Sequence, residues 1–254
     1  AFTIKTPGHN NTVKTISAYR VKKHGDDTYI QLPRFGGFML SDSNIIDDPE
    51  NKLQAGDTRV FPKTELKLTA NQRVVLAHLT KNIYNKDSVV AGRGSTILQM
   101  DPGYGKTYLA CGLISCVKRK TFIIVPNTYL LKQWVDVLTL VFPENTIGYY
   151  YGGKKEDGDI VVSIINSALK YPGYNKCGLI IYDEVHMYCS GRFSKIFSMA
   201  QAKRCIGLTA TPNDRIDKFD PMSWWALGKV VHADKIKGWD PADVKFTASV
   251  IKVN

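Results

Sequence analysis

The chain predicts an α/β fold, a mainly parallel sheet with helices on both faces, preceded by a small β-rich N-terminal module. Three observations carry that expectation. From residue 95 onward, short runs of Ile, Val, Leu and Phe alternate with longer segments of helical apolar spacing, the pattern of strands covered on both faces by crossover helices. Residues 12–33 instead read as short strands joined by Lys22-Lys23-His24-Gly25-Asp26-Asp27, whose Gly and Asp are turn formers. Finally, glycine-rich or acidic turns follow directly on several apolar runs, where the carboxyl ends of parallel strands receive ligands.

The elements follow in order. The module and its linker occupy 1–65, with strands at 12–21 and 28–32. Between residues 40 and 62 the chain turns polar, with Asp42, Asp47, Asp48, Pro49, Glu50 and Gly56, and reads as a linker or irregular excursion. The larger unit spans 66–254. It opens on a helix over 71–83, which carries apolar residues at Val74, Val75, Ala77, Leu79 and Ile83. Strands are expected at 95–100, 121–125, 146–150, 160–165, 178–182 and 204–208, and helices at 106–117, 128–140, 166–170 and 192–200. Residues 229–236 and 246–253 form the exit from this unit. The sequence shows no internal repeat and no low-complexity run.

Composition narrows the partners. With 254 residues, 44% of them hydrophobic, the chain can bury a full α/β core. Its formal charge of +11 suits an anionic partner, nucleic acid or a membrane surface alike. No stretch approaches the roughly twenty apolar residues that span a bilayer, and Ala1-Phe2-Thr3-Ile4-Lys5-Thr6 lacks the apolar core of a secretion signal. An intracellular protein with no membrane partner is the expectation. The five cysteines, Cys111, Cys116, Cys177, Cys189 and Cys205, lie mainly in or beside apolar segments, and reduced thiols are expected rather than a metal or iron–sulfur centre.

The chemistry concentrates in three motifs. In the first, the strand Ser95–Met100 runs through Asp101-Pro102 into Gly103-Tyr104-Gly105-Lys106-Thr107. Gly103, Tyr104 and Gly105 turn backbone N–H groups inward, the next helix presents its positive end, Lys106 reaches the β/γ-phosphates, and Thr107 is placed to ligate Mg²⁺. Met100 stands where the full pattern has a glycine. The second motif, Gly178–His186, ends a strand on the carboxylates Asp183 and Glu184; Asp183 suits Mg²⁺ and Glu184 suits the proton of an attacking water. The third is Gly207-Leu208-Thr209-Ala210-Thr211-Pro212.

Together the three motifs resemble the first, RecA-like motor lobe of superfamily-two helicases and translocases. Asp183-Glu184-Val185-His186 and Leu32-Pro33-Arg34-Phe35-Gly36-Gly37 look like the xeroderma-pigmentosum group B type, which includes transcription-release helicases of large DNA viruses. The resemblance implies ATP and Mg²⁺ as cofactors, DNA or RNA as track, and a second RecA-like lobe that completes the ATP site. It also implies a link to transcription or repair machinery, in the nucleus or cytoplasm, or in the virion and viral factory if the source is viral. By the same resemblance Gln72, in Leu68-Thr69-Ala70-Asn71-Gln72, reads the adenine edge. His186, Thr209 and Thr211 couple nucleotide state to strand contacts. Asn127 and Thr128 with Ser163 and Ser167 face a nucleic-acid backbone, whereas Trp134 reads as a side chain that packs its helix on the sheet.

Nothing after Thr211 has room for a second lobe of the same kind. Either the chain is a fragment or the second lobe is elsewhere; the missing initiating Met fits a fragment, and processing would also explain it. A P-loop phosphotransferase acting on a small molecule accounts for Lys106 and Asp183 but not for Thr209-Ala210-Thr211-Pro212 or for +11. A nucleic-acid-binding module with a degenerate nucleotide site is the third reading. Intact Lys106, Thr107, Asp183 and Glu184 weigh against it.

Overall fold

The computed structural model describes residues 3–7, 13–24, 27–37, 53–62, 64–199, 202–211 and 221–243. The polar excursion lies mostly outside these residues, as do Pro212 and the expected exit segment 246–253. Near the N-terminus, β1 (Thr3–Pro7) pairs antiparallel with β2 (Val13–Ser17), and β3 (Arg20–His24) with β4 (Asp27–Gln31). The single strand read over 12–21 is two strands, and β1 was not anticipated.

A short helix α1 (Arg34–Gly37), then α2 (Ala70–Asn82) and α3 (Lys86–Val90), lead into the main sheet. Its strands are β5 (Ser95–Gln99), β6 (Thr121–Val125), β7 (Ile147–Tyr151), β8 (Lys154–Glu156), β9 (Ile160–Ile164), β10 (Leu179–Asp183), β11 (Arg204–Thr209) and β12 (Val230–His232). The connecting helices are α4 (Lys106–Val117), α5 (Thr128–Val141), α6 (Ile165–Ala168), α7 (Ile196–Met199) and α8 (Pro221–Leu227). Across the sheet the order is β12-β5-β11-β10-β6-β9-β7-β8. Only β8 runs antiparallel to its neighbour.

Period-two alternation explains why the strands read as unbroken apolar runs. Leu98, Ile123, Val125, Leu179 and Ile181 point to one face, where α2, α4 and α5 bring Leu79, Leu113 and Leu138. Their neighbours Ile97, Phe122, Ile124, Ile180 and Tyr182 point to the other, against Ile165, Ile196 and Leu227 of α6, α7 and α8. Both faces are covered, so the central strands are mostly apolar, and polar members such as Thr121 and Ser163 are buried with them.

Residues 53–61 are not a free linker. They run across the amino ends of the strands, where Lys203 N donates to Gln54 O (2.7 Å), Asp57 N to Lys176 O (2.8 Å) and Lys120 N to Asp57 O (2.8 Å). The approach is so close that a Cβ built on Gly178 falls 2.1 Å from the carbonyl oxygen of Ala55. Arg34 belongs to the same edge: its guanidinium donates to the backbone carbonyls of Gly92, Ala202 and Lys203. The packing of 34–37 and 53–61 thus joins them to the sheet, ahead of the 65/66 division expected from the sequence. The five thiols are free; four are buried and Cys116 is exposed.

Candidate active site

The carboxyl ends of β5, β6, β9, β10 and β11 bring the motifs to one edge. The phosphate-loop geometry follows from two glycines, since Gly103 (φ 83°) and Gly105 (φ 74°) occupy the left-handed region, which costs glycine nothing. Gly105 caps α4 without any side-chain hydrogen bond, leaving the first-turn amides to an incoming anion. Lys106 Nζ meanwhile donates to Met100 O (2.9 Å) and Asp101 O (3.4 Å). Its ammonium is parked on the loop that a phosphate would share.

Gln72 is tied to the same loop. Thr69 and Gln72 form a reciprocal capping box at the start of α2, with Thr69 N donating to Gln72 Oε1 (2.9 Å) and Gln72 N to Thr69 Oγ1 (3.2 Å). The amide nitrogen of Gln72 donates to Tyr104 O (3.0 Å) and Gly105 O (3.3 Å). Both ends of this amide are therefore engaged, and contact with a base requires an exchange of partners. A cavity of about 190 Å³ opens here, lined by Thr69, Asn71, Gln72, Gly103, Tyr104, Gly105 and Asp243. Sequence reasoning missed Asp243 in this lining and Trp239 behind Tyr104. Trp239 stacks on Tyr104 (centroids 5.3 Å apart), and Asp243 Oδ2 accepts from Asn71 N (2.9 Å).

Asp183 ends β10 and is 7% exposed. Its Oδ2 accepts from the indole N–H of Trp134 at 2.7 Å and its Oδ1 from Glu184 N at 3.1 Å. Burial pushes the Asp183 carboxyl above its usual range; the Trp134 bond pulls it back, the neighbouring Glu184 charge pushes it up, and the Lys106 charge lowers it. Burial also raises Glu184, against the pull of Lys106. Glu184 holds a left-handed backbone (φ 49°), a conformation that costs a non-glycine residue about 1–3 kcal/mol and collects at functional sites. Tyr188, also missed, fixes this end: its hydroxyl donates to Asp183 O (2.7 Å) and lies 3.0 Å from Ile124 O.

The coupling candidates converge. His186 Nδ1 lies 2.9 Å from Thr209 Oγ1 and 3.4 Å from Glu184 Oε2, and Thr211 N donates to Thr209 Oγ1 at 3.1 Å. A continuous polar path thus links Glu184 to the Thr209–Thr211 turn.

The strand-contact candidates divide. Asn127 and Thr128 are exposed at the start of α5, with Asn127 Oδ1 accepting from Leu130 N, and Ser167 is half-buried in α6. Ser163 does not join them. It sits inside β9 between β6 and β7 with no exposure, and its hydroxyl donates to Tyr150 O. No helix among the described residues is long and apolar enough to cross a membrane.

The fit to Mg²⁺ rests on the donor set. Asp183 and Thr107 offer hard oxygens, and among the described residues no cluster of three or more His, Cys, Asp or Glu stands ready to hold an ion alone. Mg²⁺ characteristically takes one or two protein ligands and completes its shell with phosphates and water.

Known proteins resemble the chain in sequence and in fold. A protein of African swine fever virus named as an ATP-dependent RNA helicase is 36% identical over 145 residues, 54% of this chain and 28% of its own. A Haloarcula marismortui protein named as DNA 3'-5' helicase Rad25 is 34% identical over 132 residues, 49% of this chain and 21% of its own. The chain thus spans less than a third of these relatives' lengths. Among solved structures, T4 UvsW superposes with a TM-score of 0.54 at 17% identity, over 91% of this chain and 51% of that one. The Sulfolobus solfataricus SWI2/SNF2 ATPase core in complex with dsDNA gives 0.51 at 19% identity, over 68% and 38%. Both share the fold. Residues 65–214, more than half of the chain, match the family described as type III restriction enzyme, res subunit, and the chain belongs to that family as a RecA-like lobe of a superfamily-two helicase.

Proposed function

We propose that this chain is the first motor lobe of an ATP-dependent helicase or translocase that couples Mg²⁺-dependent ATP hydrolysis to movement along DNA or RNA. The observation that carries the reading is the His186 bridge between Glu184 and Thr209, because a simple phosphotransferase has no use for a polar path from its base to the turn that follows the neighbouring strand. In this reading Lys106 exchanges the carbonyls of Met100 and Asp101 for phosphate oxygens, and Gly103, Tyr104 and Gly105 supply backbone amides. Thr107 and Asp183 hold Mg²⁺, which neutralises charge on the phosphates when bound. Glu184, raised by burial, accepts the proton of the attacking water. Gln72 exchanges its loop carbonyls for the adenine edge. His186, Thr209 and Thr211 relay the state of Glu184 to the edge where Asn127, Thr128 and Ser167 meet a backbone.

A second RecA-like lobe supplies the arginines that stabilise the transferring phosphoryl group. Such an arginine is worth roughly 10³–10⁵ in rate. The sequence division into a module at 1–65 and a lobe at 66–254 stands in this proposal, with 34–37 and 53–61 docked on the lobe. The motor works inside a cell, or in a virion or viral factory if the source is viral, alongside transcription or repair machinery.

The test is ATP turnover by the full-length protein, with and without single- and double-stranded DNA and RNA, across a salt series. Nucleic acid should stimulate turnover in a sequence-tolerant, salt-sensitive manner, and Lys106→Ala should lose both ATP binding and turnover. Turnover indifferent to every nucleic acid would return the phosphotransferase to first place.

A further inference from the structure

Trp134 has two properties that packing alone does not require. It is 1% exposed on α5, and its indole N–H meets Asp183 Oδ2 at 2.7 Å, a bond made wholly inside the protein. A buried site that needed only a large apolar side chain would be served by Phe or Leu. Trp adds a donor, and here the acceptor is the carboxylate that ends β10. With Glu184 N on the other oxygen, the plane of this carboxylate is fixed from both sides. An ionised carboxylate has about four acceptor sites; two are filled, and the rest stay available to a cation or its water.

The helix that carries Trp134 also carries the exposed turn at Asn127 and Thr128. Seven residues separate Asn127 from Trp134, about 10 Å along a rigid α-helix. Leu131, Trp134, Val135 and Leu138 bury the helix along one face, so Trp134 shares a single packed face with the turns on either side of it. A displacement of α5 by more than about half an ångström would take this 2.7 Å bond out of the usual 2.7–3.2 Å range.

We propose that Trp134 is a positioning residue for the metal-holding carboxylate of Asp183, and that through α5 it makes the nucleotide site sensitive to a nucleic-acid backbone at Asn127 and Thr128. This rests on the reading of Lys106, Thr107 and Asp183 as the Mg²⁺-ATP site. The indole does not touch the reacting atoms. It sets the angle at which Asp183 presents its remaining lone pairs, and the helix links that angle to the strand-facing edge.

The decisive variant is Trp134→Phe, which keeps a buried aromatic ring and removes the N–H. Binding of a fluorescent ATP analogue to the 254-residue chain is measured with Mg²⁺ and again with EDTA. The gain in affinity from Mg²⁺ should fall about tenfold or more, the usual cost of losing a group that orients a metal ligand, while metal-free affinity holds. Leu138→Ala, a loss of packing on the same buried face, should lower Tm and leave the Mg²⁺ gain intact. An unchanged Mg²⁺ gain in Trp134→Phe, or an equal loss in both variants, overturns the inference alone. Absence of any ATP affinity in the wild-type chain overturns the nucleotide reading and this inference with it. Should Trp134→Phe fail to fold, the wild-type indole N–H resonance of Trp134 decides: it should move on adding Mg²⁺-ATP and, separately, a single-stranded oligonucleotide. A resonance that ignores both overturns the proposal.

Discussion

The two ends of the main sheet are built on opposite principles. At the amino end, backbone is bonded to backbone: residues 53–61 lie across β6, β10 and β11, and Arg34 donates to three carbonyls. Lys120, 1% exposed, is satisfied there by Asp157 and by Gly158 O. At the carboxyl end, the polar groups hold partners that a ligand can replace. Lys106 rests on loop carbonyls, Gln72 on the same loop, and Glu184 sits in a strained backbone. Stability is concentrated where no chemistry occurs, so the reactive end can hold strain and exchangeable bonds without loosening the fold.

That contrast can be broken from either side. The largest effect is expected from Glu184→Gln at the carboxyl end. It keeps the shape and loses the proton acceptor, so kcat should drop by roughly 10²–10⁴ while nucleotide stays bound and Tm is unchanged. Stopped-flow turnover beside equilibrium binding checks this, and a parallel loss of affinity would mean that Glu184 binds rather than activates.

Gly178→Ala attacks the opposite end. The new methyl would lie 2.1 Å from Ala55 O and 2.9 Å from Arg119 Cβ, forcing the crossing segment outward. A loss of roughly 3 kcal/mol is expected, a fall in Tm of roughly 6–12 °C, with ATP affinity at low temperature preserved. Thermal melts and a binding isotherm on the same sample separate the two ends.

The smallest effect concerns acid. Burial pushes Asp159 up, but bonds from Asn145 and Thr146 and the Arg59 charge outweigh it and hold its carboxyl below the usual value of 3.8. A depressed carboxyl contributes stability that is complete above its unfolded value and is lost as pH falls through the folded one. The Tm advantage of wild type over Asp159→Asn should therefore be full at neutral pH and vanish below the ordinary carboxylate range. A difference that persists in strong acid would locate the contribution in packing.

Much of this was legible in the sequence, for identifiable reasons. A strand covered on both faces favours apolar side chains at successive positions, so β6 and β10 announce themselves as apolar runs. The site residues at strand ends are legible for the converse reason, because a glycine turn or a carboxylate pair directly after such a run interrupts the pattern. What escaped was set by distant partners. β8 is Lys154-Lys155-Glu156 and has no apolar signature. Trp134 looks the same on paper whether its N–H meets a carboxylate or nothing. Ser163 belongs to an apolar strand, and its hydroxyl is satisfied inside the sheet by Tyr150 O. The docking of Trp239 and Asp243 beside α2 depends on residues far apart along the chain.

The main sheet is bordered by its two shortest strands, β12 and β8, each of three residues. An extended segment from another molecule would find few free backbone groups along either border, and at β8 it would have to lie against exposed Lys154, Lys155 and Glu156. Short, charged borders of this kind discourage sheet-to-sheet growth. A charge of +11 favours accumulation on polyanions, where unguarded strands would invite aggregation. Borders this short leave two crowded copies little to zip together.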